Sequence, residues 1–206
     1  MTVLSVRTIG DPVLRTVCEP VTEFDADLSR LIDDMVETMF DIDGVGLAGP
    51  QVGVSLRLFT YGIDGPDGEV GHVINPVLEI GEEPQEGGEG CLSVPGLSGE
   101  TPRRNWARVT GVDRDNRPVE VEAEGLLARC LQHETDHLDG RLYIDRMVGE
   151  ERKKAMRAIR AADYNDVSAG VQRQRAGNVS SGFGAGASFG RTAGTAPGAA
   201  FGGGAR

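Results

Sequence analysis

The sequence is poor in the features that hold secreted or membrane-embedded chains together. Its 206 residues include only three cysteines, Cys18, Cys91 and Cys130. So sparse and odd a set argues against a disulfide framework and suits a reducing compartment. No apolar run approaches the roughly 18 residues of a membrane-crossing helix. The opening MTVLSVRTIGDPVL lacks a basic stretch followed by an apolar block, so the expected location is the cytoplasm, away from any membrane. Basic residues are scarce too: 21 Lys and Arg stand against 32 Asp and Glu, a net charge of −11. Residues 167–206 hold four arginines and no acidic residue, so residues 1–166 carry −15. A body that acidic repels phosphates and argues against specific nucleic-acid binding. A small molecule or a neutral peptide remains as partner.

The same charge boundary divides the chain. Residues 1–166 are long enough for one domain that buries roughly 70% of its unfolded surface. Residues 167–206 hold 11 of the 30 glycines amid Ala and Ser. With little apolar surface to offset chain entropy, they are expected to form a disordered, solvated tail.

Hydrophobic spacing predicts the elements of the body. Leu28, Leu31, Ile32, Met35 and Met39 recur at helical steps over 25–40, with Asp25 as N-cap and Gly44 as C-cap. Alternation of Val52, Val54, Leu56 and Leu58 predicts a strand over 52–60. A second strand over 71–80 is interrupted by Pro76, as on a sheet edge. Residues 81–101 are Gly-, Glu- and Pro-rich and read as a loop around Cys91. Strands near 107–113 and 118–123 flank the turn 113–117. A helix over 125–138 ends at Gly140, and an amphipathic helix follows over 150–164 with Met156, Ile159 and Ala162 inward. The expected class is α+β: antiparallel sheets packed around a central helix, with N-terminal and C-terminal helices.

The central helix carries the chemistry. His133-Glu134-Thr135-Asp136-His137 uses two of the three histidines in the chain. Residues four apart share a helix face, so His133 and His137 offer two imidazoles to one metal, while Glu134, one step round, reaches a metal-bound water. A catalytic site needs a third ligand and one open position. The extended zinc-endopeptidase pattern HExxHxxGxxH fits as far as Gly140, but its last position is Tyr143. The remaining donors are His72, Cys18, Cys91 and Cys130. Cys130 suits packing on the apolar helix face. Cys91, beside Gly90 in a loop-like stretch, is explained by ligation as a thiolate.

Three stretches together carry a resemblance: Gly44-Val45-Gly46-Leu47-Ala48-Gly49-Pro50-Gln51, Glu89-Gly90-Cys91-Leu92-Ser93 and Gln132-His133-Glu134-Thr135-Asp136-His137. In this order they resemble the peptide deformylases, over roughly residues 3–162. The resemblance implies a hydrolase that removes the N-formyl group from the initiator methionine of new bacterial proteins, releasing formate. Cys91, His133 and His137 would bind the metal, and Glu134 would serve as general base and then general acid. The Gln51 side-chain amide and the Leu92 backbone N–H would stabilise the oxyanion. The backbone of Gly44 and Gly46 would pair with the peptide, and Val45, Leu126 and Cys130 would line the methionine pocket. Asp136 would pair with Arg103, or next with Arg104. Ligand chemistry alone suits zinc, whereas the family implies ferrous iron, replaceable by zinc, nickel or cobalt. The expected partners are formylmethionyl nascent peptides at the ribosome, and the expected state is a monomer. The chain departs from the family at Gly49, where Ala is usual and Gly would loosen the loop. It departs again at Arg129, where an aliphatic residue is usual and Arg would reshape the pocket. The alternatives are a zinc endopeptidase and a non-catalytic metal module anchored by the basic tail.

Overall fold

Helix α1 (Ala26–Asp41) begins where Asp25 Oδ1 accepts the N–H groups of Asp27 and Leu28, satisfying donors that the first turn leaves open. Its end differs from expectation. The left-handed residue is Asp43 (φ 52°), and Gly44 follows it, donating its N–H to Met39 O at 2.9 Å. Asp tolerates this conformation, which frees Gly44 from the capping role. The computed structural model describes residues 2–63 and 68–161. The tail 167–206, and Ala162 with the predicted end of the last helix, lie outside them.

Strands β1 (Gly46–Ala48), β2 (Leu58–Gly62) and β3 (Val70–Ile80) lead into two short pairings. These join β4 (Pro84–Gln85) to β7 (Arg103–Arg104), and β5 (Gly88–Cys91) to β6 (Val94–Glu100). Strands β8 (Trp106–Val112) and β9 (Pro118–Glu124) complete a five-stranded antiparallel sheet of order β1-β2-β3-β8-β9. Every residue of β2 is buried, because both faces of the sheet are covered. Leu58 and Ile74 pack with Ile32, Met35 and Met39 of α1. Phe59, Tyr61 and Val73 pack with Ala128 and Leu131 of helix α2 (Gly125–Leu138) on the opposite face. A short helix α3 (Tyr143–Arg146) and helix α4 (Gly149–Ala161) close a third apolar cluster around Leu142 and Ala155.

Three strand expectations are corrected. The alternation over 52–58 arises from an irregular stretch: residues 49–52 form a single 3-10 turn, Gly53 is left-handed, and Val52, Val54 and Leu56 each reach the α1 cluster. Strand β3 lies at the centre of the sheet, not on an edge. It tolerates Pro76 because the register with β8 shifts between Ile74 and Val77, where Asn75 turns left-handed (φ 52°). Residues 81–101 hold three strands, β4, β5 and β6, rather than a loop. Their local composition is turn-like, and pairing is imposed from outside: Val94 is fully buried, and Tyr143 of α3 donates its hydroxyl to Leu97 O.

Helix α2 ends as its sequence predicts. Gly140 (φ +71°) donates to His137 O, and Arg141 to Asp136 O, the hydrogen-bond pattern of a left-handed helix terminus. A Cβ on residue 140 would also lie 2.9 Å from Arg15 C and O. Gly140→Ala is therefore expected to cost about 1–3 kcal/mol, read as a melting point lowered by about 2–4 °C per kcal/mol. An unchanged melting point would mean that the close approach to Arg15 relaxes freely.

Candidate metal centre

The two halves of the site come from different elements. His133 and His137 stand one turn apart on α2, with their Nε2 atoms 3.2 Å apart. Cys91 ends β5, immediately before the two-residue turn Leu92-Ser93, and its Sγ lies 3.4 Å from His137 Nε2. The three donor atoms all fall within 4.8 Å of one another. A tetrahedral ion bonded at about 2.3 Å to sulfur and about 2.0–2.1 Å to nitrogen spaces its ligands about 3.3–3.6 Å apart. Two of the pairs, at 3.2 and 3.4 Å, come close to that spacing, and one thiolate with two imidazoles would leave the fourth position of such an ion open.

A hydrogen bond orients His133, whereas His137 Nδ1 is buried without a partner among the described residues. Glu89 Oε2 lies 2.9 Å from His133 Nδ1, so the proton sits on that nitrogen and Nε2 turns its lone pair toward the cluster. Burial, with the positive charge of Arg103, holds the His137 imidazole well below its ordinary value, which keeps it neutral and able to ligate. The ring of Tyr143 stacks on His133 at 6.2 Å between centroids. The position where zinc endopeptidases of this pattern place a third histidine is thus filled by a packing aromatic.

Glu134 lies beside the cluster, 3% exposed, and its Oε2 is a buried oxygen without a hydrogen-bond partner among the described residues. Burial, reinforced by the Glu89 charge and opposed by Arg103, lifts its carboxyl to about 7. A desolvated carboxylate with a vacant oxygen has the form of a proton acceptor awaiting a substrate. Gly46 makes room for it: a Cβ there would lie 2.4 Å from Glu134 Oε1 and 2.7 Å from Cys130 Sγ. Gln51 is held by its own loop, Oε1 accepting from Ala48 N–H at 2.8 Å. Its Nε2 therefore faces Cys91 Sγ and Ser93 Oγ, each at 3.4 Å.

Around the donors lies a buried ionic network only partly visible in the sequence. Arg103 donates through Nε and Nη2 to Glu89 and through Nη1 to Asp136 Oδ2 at 2.6 Å. The second guanidinium on Asp136 belongs to Arg146, bound at 2.5 and 3.1 Å. It is not that of Arg104, whose backbone instead pairs with the Gln132 amide. Burial raises the Glu89 carboxyl, but the hydrogen bonds from His133 and Arg103 and the charge of Arg103 outweigh it and bring the group down to about 2. Glu89 had one usable signal: it stands two residues before Cys91, hence on the same face of any strand. Arg146 had none.

The remaining predicted residues are spread around this centre. Val45 and Leu126 are exposed apolar side chains, and Cys130 is buried with its thiol donating to Val45 O at 3.1 Å. Gly44 lies at the end of α1. Gly49 does not loosen its loop. It is buried, and a Cβ there would meet the Val54 and Leu56 carbonyls at 2.9 and 2.8 Å. Nor is Arg129 a pocket residue, since its guanidinium is bound to Glu89, Thr101 O and Gln85 O. His72 accepts a hydrogen bond from Arg114 N–H, and Cys18 is a buried thiol pushed up to about 11 by burial.

Known proteins resemble this chain. Residues 3–153 match the profile of the polypeptide deformylase family. A peptide deformylase of Acidothermus cellulolyticus is 57% identical over 164 residues, covering 80% of this chain and 89% of that protein. Peptide deformylase 1 of Corynebacterium efficiens is 54% identical, covering 80% and 98%. The crystal structure of a peptide deformylase from Legionella pneumophila superposes with a TM-score of 0.74 at 40% identity, covering 81% of this chain and 98% of that one. With the donors in place and the match spanning nearly all the described residues, the chain belongs to the polypeptide deformylase family.

Proposed function

We propose a division of labour among these residues for the reaction of the family, the metal-dependent hydrolytic removal of the N-formyl group from nascent proteins. Cys91, His133 and His137 hold the cation, which when bound polarises its water and lowers the water's pKa from 15.7 toward about 7. Glu134 Oε2 accepts the proton of the attacking water and returns it to the amine nitrogen as the formyl C–N bond breaks. Formate then leaves, and the peptide keeps a free N-terminus. Gln51 Nε2 and the Leu92 N–H donate to the formyl oxygen as charge develops on it, each contributing about 3–4 kcal/mol in comparable sites. Gly44 and Gly46 offer backbone groups to the peptide, and Val45, Leu126 and Cys130 border its first side chain. The observation that carries this reading is the convergence of three donors beside a buried carboxylate with a vacant oxygen.

The finer assignments are part of the same proposal. The resident cation is Fe²⁺, with Zn²⁺, Ni²⁺ or Co²⁺ as substitutes. The protein acts as a cytoplasmic monomer on formylmethionyl chains at the ribosome. Residues 1–166 form the catalytic domain, and residues 167–206 are an appendage. Anaerobic purification followed by metal analysis and a formate assay on a formyl-Met peptide tests it. One iron per chain with formate release is expected, while casein cleavage without formate would favour an endopeptidase.

Gly46→Ala separates space from chemistry. A methyl group 2.4 Å from Glu134 Oε1 must displace the carboxylate, and misplacement on the scale of an ångström costs about 10²-fold in rate. Formate release is expected to fall by that order while metal content stays at wild-type level. Unchanged turnover would show that Glu134 has freedom to move.

A further inference from the structure

We propose that Arg129 is a positioning residue for the metal ligands, a clamp that fixes the distance between the helix-borne histidines and the strand-borne cysteine. This rests on the reading of Cys91, His133 and His137 as the metal ligands. Arg129 stands one turn before His133 on α2, so the two side chains share a face. Its guanidinium is nearly buried and donates three hydrogen bonds. Nη1 donates to Glu89 Oε1 at 2.9 Å and to Thr101 O at 3.0 Å, and Nη2 to Gln85 O at 3.4 Å. Those acceptors bracket the β5–β6 hairpin. Gln85 precedes it, Glu89 lies within it, and Thr101 follows it. Glu89 and Cys91 are two residues apart near the end of β5, so a shift of one carries the other. One side chain of α2 thus grips the hairpin before, at and after the ligand-bearing strand.

Two further observations support the clamp. Gly87 (φ +137°) lies against the guanidinium, and a Cβ there would sit 3.3 Å from Arg129 Nη2; the absence of a side chain at 87 leaves room for this arginine. Arg103 also binds Glu89, but it runs to Asp136 and Arg146 on the far side. Among the described residues, Arg129 alone joins the carboxylate to the hairpin backbone. It also places a second guanidinium on Glu89, drawing charge from the oxygen pair that faces His133 Nδ1.

Cobalt substitution of the metal-stripped full chain tests this. Wild type is expected to bind Co²⁺ with a sulfur-to-cobalt charge-transfer band, and a wild type lacking that band would overturn the ligand reading together with the clamp. Arg129→Met is expected to bind Co²⁺ about 10–100-fold more weakly, with its charge-transfer and visible bands displaced because Cys91 is no longer held in register. Arg129→Lys keeps the charge but cannot reach the carboxylate and both carbonyls at once. It is expected to fall between the two, and it decides the matter if the methionine variant does not fold. A purely structural arginine would lower the melting point while leaving Co²⁺ affinity and spectrum unchanged. Wild-type affinity and spectrum in the folded variant would therefore overturn the clamp.

Discussion

Glu134→Gln is expected to lower formate release by about 10²–10⁴-fold, the usual contribution of a positioned general acid–base, while the protein keeps its full complement of metal. The two halves of this result answer different questions. Glutamine fills the same buried space and cannot accept the proton, so the loss reports chemistry rather than packing. Retained metal reports that Glu134 is not a ligand, as its position one step round α2 from His133 requires. The fall is expected in kcat, because a proton transfer made only in the transition state leaves substrate binding largely untouched. A Glu134→Gln protein with wild-type turnover would remove this residue from the mechanism. One that loses its metal as well would move it into the ligand set.

Glu89→Ala is expected to be the most damaging substitution outside the reacting groups. The carboxylate is shared by Arg103, Arg129 and His133, and the Arg103 side chain is only 3% exposed. Removing it leaves Arg103 with Asp136 alone, Arg129 with two carbonyls, and His133 Nδ1 without an acceptor. Breaking a buried ion pair from one side costs about 3–5 kcal/mol, because the surviving charge stays desolvated. Calorimetry should show this as a melting point lowered by about 2–4 °C per kcal/mol, and equilibrium dialysis as metal affinity weakened by about 10–100-fold. Acid removes the same support. The Glu89 carboxyl falls from an ordinary 4.5 to about 2 on folding, so its stabilisation is complete above 4.5 and is lost as pH falls from there toward 2. The wild type should lose stability across that interval more steeply than Glu89→Ala. Equal melting points at neutral pH would show that the arginines find other partners.

The distance between sequence and structure is clearest at Cys91. Its proposed role as a ligand follows from the resemblance and from its being the thiol least suited to packing. The strand that presents it was not legible, because Gly88–Cys91 and Val94–Glu100 have the composition of turns. They become strands because Val94 is buried and Tyr143 and Arg129 grip the hairpin from other elements. Asp136 with Arg103 was legible as a pair. Arg146 was not, because the turn at Gly140 that brings α3 back onto α2 sets no readable spacing between residues 136 and 146. Arg129 and Gly49 read as departures from a family pattern, and both are fitted to their surroundings, one by an ion pair and the other by two carbonyls that leave no room for a Cβ.

By itself the sequence determined whatever depends on short, regular spacing: the amphipathic face of α1, the span of α2 and its glycine stop, and two imidazoles four residues apart with a carboxylate between them. Helical periodicity is a local property, and three residues on one helix meet wherever that helix goes. Only the tertiary structure decided how a cysteine sulfur on a hairpin comes close to the histidines of that helix, which arginines pair with Glu89 and Asp136, and why Glu134 is left with an unpartnered oxygen. Those outcomes depend on burial and on charges from distant parts of the chain, and water removed by packing is a quantity that no local pattern records.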